Sequence, residues 1–329
     1  MMKRLNSCLF LLTAILLAGC GEQDAVEAEP PVQKAPIGFS SPVVSQTQTR
    51  GNAITSITEM YIFASYTGQD NWKSASHSFN YMYDQYANNP GSGWTYSPVK
   101  YWPDNEEDKI SFFAYAPTEA RSILSVSTVN TVNPTITYTV PAKESEQLDF
   151  LVASQLNCTN TTGNVSFSMQ HALTQVVVKV KNGDASISNI TLSAIKVIMP
   201  GVGTLTFNDT GNTADKAFSW AATDTKEISA DVAVTTNSNA TFLLLPVGDP
   251  SSTVKFQVTY KLTKSTGHNS GESPSMTAFF VPPATPAWTA GKVLTYNLSV
   301  IDDRLEINSI TVTDFDANGT SAGGNVPAT

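Results

Sequence analysis

The sequence is poor in charged side chains, which limits the partners it can bind. Asp, Glu, Lys and Arg make up 14% of its 329 residues, against about 25% in ordinary soluble domains. Acidic residues outnumber basic ones by 28 to 19, so the formal net charge is −9. Contacts to phosphates require a basic surface, and we therefore expect no nucleic acid among the partners. Hydrophobic residues reach 41%, which indicates a chain that folds around a core.

Histidine and cysteine are scarce, with three of each. His77, His171 and His268 stand far apart, at no spacing typical of paired metal ligands. We therefore expect neither a metal nor a cofactor, and we interpret His171 as a structural or turn residue. Outside the N-terminal leader only Cys20 and Cys158 remain. Cys158 is predicted to be a buried or loop thiol without a redox role.

Motifs of common catalytic sites are missing as well. The chain has no G-x-S-x-G, no H-E-x-x-H, no P-loop and no G-x-G-x-x-G followed by a helix. The acidic run at 104–108 lacks the glycine and distal glutamate of an EF-hand loop, and we interpret it as a solvated loop. We predict a non-enzymatic protein with no catalytic residues. A hydrolase that uses two carboxylates distant in sequence stays open as a minor alternative.

Only the N-terminus carries a long apolar run. Two basic residues precede an apolar stretch at 8–18, which has the size of a signal-peptide core. The stretch ends in Leu-Ala-Gly-Cys20, which resembles the lipobox of bacterial lipoproteins. We predict that residues 1–19 are a lipoprotein signal peptide and that acylated Cys20 anchors the chain to the outer membrane. An ordinary signal peptide cut nearby is the alternative. Residues 20–50 are predicted to be a tether that contains a short apolar segment.

Period-two alternation of apolar and polar residues recurs through the rest of the chain. Residues 254–262, VKFQVTYKL, are the clearest case. Gly, Pro, Asn and Asp punctuate the alternating runs, and no helical stripe exceeds about three turns. The pattern predicts an all-β fold with sandwich or barrel architecture. In this reading Pro200, Gly201 and Gly203 mark a turn between strands.

A polar run at 156–163, LNCTNTTG, interrupts the strands and predicts a domain boundary. We predict an N-terminal β-sandwich over 51–160 and a C-terminal β-sandwich over 161–329. The large aromatic residues Phe112, Phe113 and Tyr115 are expected to supply much of the first core. The irregular aromatic stretch 71–86 is predicted to hold a short helix or a long loop.

Four features together resemble the fimbrillin family of Bacteroides-type bacteria, which includes the subunits of type V pili. They are the lipobox at Cys20, the aromatic pattern at 94–103 followed by FFAYAP at 112–117, the segments DFLVA at 149–153 and FSMQHAL at 167–173, and the pattern W-x-x-G-x-x-x-x-Y-x-L at 288–298. In the last pattern Leu294 stands where the family usually has an aromatic residue. The matches extend from the N-terminus to about residue 300.

The resemblance implies two transthyretin-like β-sandwich domains in tandem and a structural role. Such proteins are subunits of a cell-surface fimbria that supports adhesion or biofilm formation. The resemblance implies export as a lipoprotein, removal of the first strand by an Arg-specific surface protease, and filling of the vacated groove by a strand of another subunit. The implied partners are other fimbrial subunits, in a homopolymer or heteropolymer, and a host or bacterial surface ligand.

Particular residues match these roles. Arg50, which Gly51 follows, is the one basic residue in the polar stretch 45–52 and is the candidate cleavage site. The apolar residues between 37 and 44 are the candidate removable strand. The last alternating run shows a slip at Ser309 that indicates a bulge. This run is the candidate donor strand, with apolar residues at Leu305, Ile307, Ile310 and Val312.

Other roles stay open at this point. A fimbrial anchor would keep its lipid and its N-terminal segment, whereas a shaft subunit would lose both, and a tip subunit often carries an extra binding domain. The alternative from another class is a non-polymerising surface lipoprotein that binds glycans on exposed aromatic residues. The candidates for that role are Trp72, Tyr81, Tyr83 and Tyr86.

Overall fold

The computed structural model describes residues 34–44, 56–75, 78–127, 134–208, 218–229, 239–265, 270–301, 304–314 and 326–327. The predicted signal peptide, Cys20, Arg50 and Gly51 lie outside the described residues. Within these ranges the helices are short 3-10 turns, and none is long and apolar enough to cross a membrane.

Strands dominate the described part of the chain, which confirms the predicted all-β fold. In chain order they are β1 Val43–Val44, β2 Glu59–Gly68, β3 Met82–Asn88, β4 Thr95–Tyr96, β5 Lys109–Ala116, β6 Leu124–Val126, β7 Thr135–Thr139, β8 Leu151–Cys158, β9 Ser168–His171, β10 Thr174–Asn182, β11 Ile187–Phe207, β12 Phe218–Ser229, β13 Asn239–Leu244, β14 Lys255–Lys264, β15 Gly271–Glu272, β16 Met276–Phe280, β17 Lys292–Ile301, β18 Arg304–Asp314 and β19 Val326–Pro327.

The strands form three sheets. The first sheet has the order β1-β9-β8-β5-β2-β3-β4, and the second has the order β13-β10-β17-β18-β19. The third has the order β15-β14-β11-β7-β6, with β12 paired to β11 and β16 paired to β14. Neighbours pair antiparallel except β1 with β9 and β10 with β17, which pair parallel.

The first sheet is apolar on both faces, as β5 shows most clearly. Every residue from Ile110 to Ala116 is buried completely. Because side chains alternate across a strand, Phe112 and Phe113 enter different apolar clusters. The ring of Phe113 lies 5.2 Å from that of Phe207 in β11, so this face packs against the rest of the body. The Phe112 face is covered by residues 34–44 and by Trp102.

Strand β11 runs for 21 residues without interruption. It pairs with β14 along its first half and with β7 along its second half. The turn predicted at Pro200, Gly201 and Gly203 is wrong, because the strand continues through all three. At Gly203 a Cβ atom would lie 2.8 Å from Leu245 Cδ2 and 2.9 Å from Trp220 Cε3. This glycine therefore marks a close approach of side chains to the strand.

The predicted domain boundary at 160/161 is crossed by the first sheet. Strand β9 follows that position in the chain, yet it pairs with β8, which precedes it. Strands β6 and β7 also precede it, and they join the third sheet beside β11. The division into two tandem sandwiches stays a prediction.

Cys158, at the end of β8, is a free thiol that is only 3% exposed. Burial raises the pKa of this thiol to about 12, and a hydrogen bond with Thr162 opposes the shift only in part. Because the thiolate is the reactive form, the buried thiol is inert near neutral pH.

Truncation of Phe113 to alanine should destabilise the protein by about 3–5 kcal/mol, because it opens a cavity between the first sheet and β11. The measurement is urea denaturation followed by tryptophan fluorescence. Phe279→Ala is the matched control, since Phe279 is 53% exposed; its effect should stay within about 0.5 kcal/mol. Equal losses in the two variants would contradict the packing described for Phe113.

Cys158 should resist iodoacetamide in the folded protein and react fully in urea, as read by mass spectrometry of the peptide. A cysteine introduced by Val43→Cys, at a position that is 55% exposed, should be labelled in the folded protein at about pH 8. Labelling of native Cys158 as fast as that reference would show that the thiol is accessible.

Candidate functional site: the groove beneath the N-terminal segment

Residues 34–44, called the N-terminal segment below, add to the first sheet as a parallel edge strand. Its last two residues form β1 and pair with β9. Upstream, the backbone N–H of Ser40 donates to the carbonyl oxygen of Val165 at 2.9 Å, and the N–H of Val165 donates to that of Gly38 at 2.9 Å. The segment therefore takes up backbone groups that β9 would otherwise leave without a strand.

The beginning of the segment is also held by the loop that follows β4. The N–H of Ile37 donates to the carbonyl oxygen of Lys100 at 2.8 Å, and the N–H of Trp102 donates to that of Ala35 at 2.9 Å. The Tyr96 hydroxyl donates to the Ile37 carbonyl at 2.8 Å. The segment thus lies between two backbone neighbours along its first half.

Three apolar side chains of the segment point into the body. Ile37, Phe39 and Val44 are 2%, 5% and 3% exposed, whereas Val43 is 55% exposed. Full burial of such a side chain is worth about 1.5–3 kcal/mol. The attachment therefore depends on these three residues as well as on the backbone ladder.

Phe39 makes the most extensive contacts of the three. Its ring stacks on Phe167 at a centroid distance of 6.0 Å. It meets Tyr96 edge-on at 5.4 Å and Phe112 edge-on at 6.0 Å. Such aromatic pairs add to the free energy gained from burial, so Phe39 is the main anchor of the segment.

Gly38 lies between two buried residues and close to Asn164. A Cβ atom at this position would lie 2.2 Å from Asn164 Oδ1. Any strand that carries a side chain here would displace the amide of Asn164, an exposed residue. The groove therefore favours glycine at this position without strictly requiring it.

The groove has an apolar floor and one apolar wall. The wall belongs to the stretch that ends in β9, with Val165, Phe167 and Met169 buried. The floor residues come from β2, β5 and β8 and are Met60, Ile62, Ala64, Ile110, Phe112, Ala114, Leu151 and Ala153. Loss of the segment would expose this surface together with unpaired backbone groups of β9, a combination that pairs readily with another strand.

The candidate donor residues lie on β18, near an edge of the second sheet. This strand pairs with β17 along its whole length and with β19 at two positions. Ile310 is 1% exposed, and Leu305, Ile307 and Val312 are half-buried. The four residues are therefore part of the chain's own sandwich in this state.

The expected slip in β18 is present as a β-bulge. Asn297 of β17 pairs with Ser309, and the next residue, Leu298, pairs with Ile307. Asn308 is thus the extra residue, one position before the expected slip.

The four aromatic residues considered for glycan binding do not form one surface. Trp72 is 1% exposed and packs at 4.9 Å on Phe113, so its expected exposure is wrong. Tyr83 and Tyr86, on β3, are 42% and 40% exposed. Tyr81 is half-buried and lines a separate pocket.

Sequence reasoning missed the partner of His171. Its Nδ1 lies 2.8 Å from Oδ2 of Asp149, and both side chains are buried. The two residues are 22 positions apart in the sequence. The one sequence signal that relates them is that Asp149 lies in the segment 149–153 and His171 in the segment 167–173, both of which resemble the family pattern. Because loss of one member of a buried pair is costly, the pair is well suited to fix the start of β8 against the end of β9. Across the described ranges, no group of three His, Cys, Asp or Glu side chains could hold a metal ion.

The fold and the groove define an all-β protein whose first sheet is completed by a terminal strand. The chain belongs to the fimbrillin-like family, whose model matches residues 47–314. This membership confirms the family predicted from the sequence.

Two relatives illustrate the likeness. The fimbrium subunit Fim1C of Phocaeicola vulgatus is 30% identical over 199 residues, which are 54% of this chain. The match spans about half of that relative, 51% of its length. The crystal structure of a fimbrial protein from Bacteroides vulgatus superposes with a TM-score of 0.59 at 20% identity, over 85% of this chain and 98% of that one. At this identity the superposition supports the shared fold alone.

Truncation of Phe39 to alanine should loosen the N-terminal segment, because it removes three ring contacts and leaves a cavity worth about 3–5 kcal/mol. Amide hydrogen exchange of residues 37–43 should therefore accelerate, while exchange in β14 stays unchanged. Val43→Ala is the control, because that side chain is exposed. If both variants exchange at the native rate, Phe39 does not anchor the segment.

Proposed function

We propose that the protein is a structural subunit of a cell-surface fimbria that assembles by strand exchange and supports adhesion or biofilm formation. The observation that carries the proposal is the N-terminal segment, a parallel edge strand with three buried side chains that fills an apolar groove. Family membership supports the fimbrial role. The partners are other subunits of the same or a related kind.

The N-terminal leader supports a proposal for how the protein is exported and anchored. We propose that residues 1–19 are removed and that acylated Cys20 holds the precursor on the outer membrane, on the cell surface. The support is the order of charges, apolar core and small residues before the cysteine.

Activation requires that the N-terminal segment be separated from the body. The proposed cut after Arg50 falls six residues beyond Val44, the last residue of β1. After such a cut the segment is held only by hydrogen bonds and side-chain packing. An Arg-specific surface protease is therefore the proposed activating partner, and a subunit whose segment has left is the acceptor.

The donor must restore what the segment supplied. It has to offer an extended backbone for β9 and apolar side chains for the floor at the places of Ile37 and Phe39. The proposed donor is β18 with its residues Ile310 and Val312, which alternate in the same way. Among the described strands of the second sheet, only the two-residue β19 lies outside β18, so its release breaks the pairing with β17 and this short outer pairing.

The first residue of the protein on native cells should be Gly51, as N-terminal sequencing of the surface fraction would show. Arg50→Ala and Arg50→Lys should remain uncut and monomeric, because an Arg-specific protease requires the guanidinium group. Thr49→Ala should be cut and polymerise as the native chain does.

A start at acylated Cys20 with no shorter form would contradict activation by cleavage. The protein would then be an anchor subunit or a surface lipoprotein that does not polymerise. Normal polymers from Arg50→Ala would exclude this residue as the cleavage site.

Donation by β18 is tested by locking it in place. Thr295 and Thr311 face each other across β17 and β18, so the double variant Thr295→Cys/Thr311→Cys can form a cross-strand disulfide. The oxidised protein should fail to polymerise after cleavage, and the same protein after reduction should recover. Polymers from the oxidised form would show that another segment is donated.

A further inference from the structure

A second concavity lies at the beginning of the N-terminal segment, outside the groove. This pocket, called the tyrosine pocket below, has a volume of about 360 Å³. Its lining consists of Lys34, Tyr66, Tyr81, Val99, Lys100, Tyr101, Trp102 and Pro103. We propose that the tyrosine pocket binds a short acidic saccharide. Its size lies at the lower end of the range for small-molecule sites, about 300–1,000 Å³.

The tyrosine rings of the pocket are held in place through their own hydroxyl groups. The Tyr66 hydroxyl donates to Oδ2 of Asp108 at 2.6 Å, and the Tyr81 hydroxyl donates to the backbone carbonyl of Tyr101. The rings of Tyr66 and Tyr81 lie 6.2 Å apart at an angle of 38°. A ligand therefore meets ordered walls, and little side-chain entropy is lost on binding.

The rim of the pocket exposes large apolar side chains. Tyr101 is 45% exposed and Val99 is 47% exposed. The fold uses the backbone of Tyr101, which pairs with Pro36 and accepts the hydrogen bond from Tyr81, but leaves its ring open to solvent. An exposed aromatic ring beside a pocket is a suitable platform for the C–H face of a sugar ring.

Positive charge lies above this aromatic surface. Lys100 Nζ is 5.6 Å from the centroid of the Tyr81 ring, and among the described residues it forms no ion pair. Lys34 adds a second ammonium group, paired at 2.9 Å with Asp104 while both side chains are more than half exposed. Exposed pairs of this kind are weak, so both lysines are available to an anionic group.

The two features together select the ligand class. Lysine alone binds phosphate as a point charge, and phosphate sites gain selectivity from a helix N-terminus or an arginine fork. Neither an arginine nor a residue of a helix lines this pocket. A simple carboxylate would leave the rings of Tyr66, Tyr81 and Tyr101 unused, and a neutral sugar would leave Lys100 without a partner. A sugar that carries a carboxylate uses both the rings and the ammonium group.

The test compares two matched probes on the full chain by isothermal titration, methyl glucuronide and methyl glucoside. We expect a dissociation constant in the millimolar range for the acid and binding at least about tenfold weaker for the neutral sugar. Tyr101→Ala should weaken the binding of methyl glucuronide at least about tenfold. The variant should stay folded, because only an exposed ring is removed. Lys100→Gln should abolish the difference between the two probes.

Tyr86→Ala serves as the control, because Tyr86 is exposed to a similar degree but does not line the pocket. It should bind both probes as the native chain does. Absence of binding, equal binding of both probes, equal binding of acetate, or full binding by Tyr101→Ala would each overturn the proposal. None of these results depends on whether the protein polymerises.

Discussion

The first sheet is apolar on both faces, and both faces must therefore be covered. One face packs permanently against the body through Phe113 and its neighbours. The other face, around Phe112, is covered by the N-terminal segment together with Trp102 of the loop after β4, whose ring lies 5.9 Å from that of Phe112. The N-terminal segment is attached by backbone hydrogen bonds to the stretch that ends in β9 and to the loop after β4, and by three buried side chains. The apolar side chains on the Phe112 face stabilise the core only while a strand covers them. The first sheet therefore depends on an added strand.

The strands were predictable where local alternation and burial agree. Residues 254–262 alternate cleanly because β14 is half-buried, and FFAYA reads as a continuous apolar run because β5 is buried on both sides. The prediction failed where distant packing decides the conformation. Pro200 and Gly203 look like a turn in sequence, but the strand continues through both, and Leu245 and Trp220 approach it closely at Gly203. Trp72 lies in a stretch without regular alternation, yet its side chain is buried in the core, where it packs against Phe113.

Part of the site could be predicted in the same way. The apolar residues between 37 and 44 indicated a strand, because they stand out from a polar tether. Their partner β9 lies more than a hundred residues away, and no local pattern encodes a parallel pairing over that distance. The buried contact between Asp149 and His171 was equally out of reach, because a single carboxylate and a single imidazole carry no spacing that links them.

The groove and the tyrosine pocket share one element, the beginning of the N-terminal segment. Lys34 lines the pocket, and Ala35 and Ile37 pair with the loop that carries Lys100 and Trp102. A ligand that contacts both Lys34 and Lys100 stabilises the attached segment by the free energy of its binding. By the same linkage, release of the segment removes the ammonium group of Lys34 and frees the loop that carries Lys100. The affinity of the pocket for the ligand therefore falls. If both proposals hold, a subunit in a fimbria keeps its affinity for an acidic saccharide only when the incoming strand brings a cation to the place of Lys34.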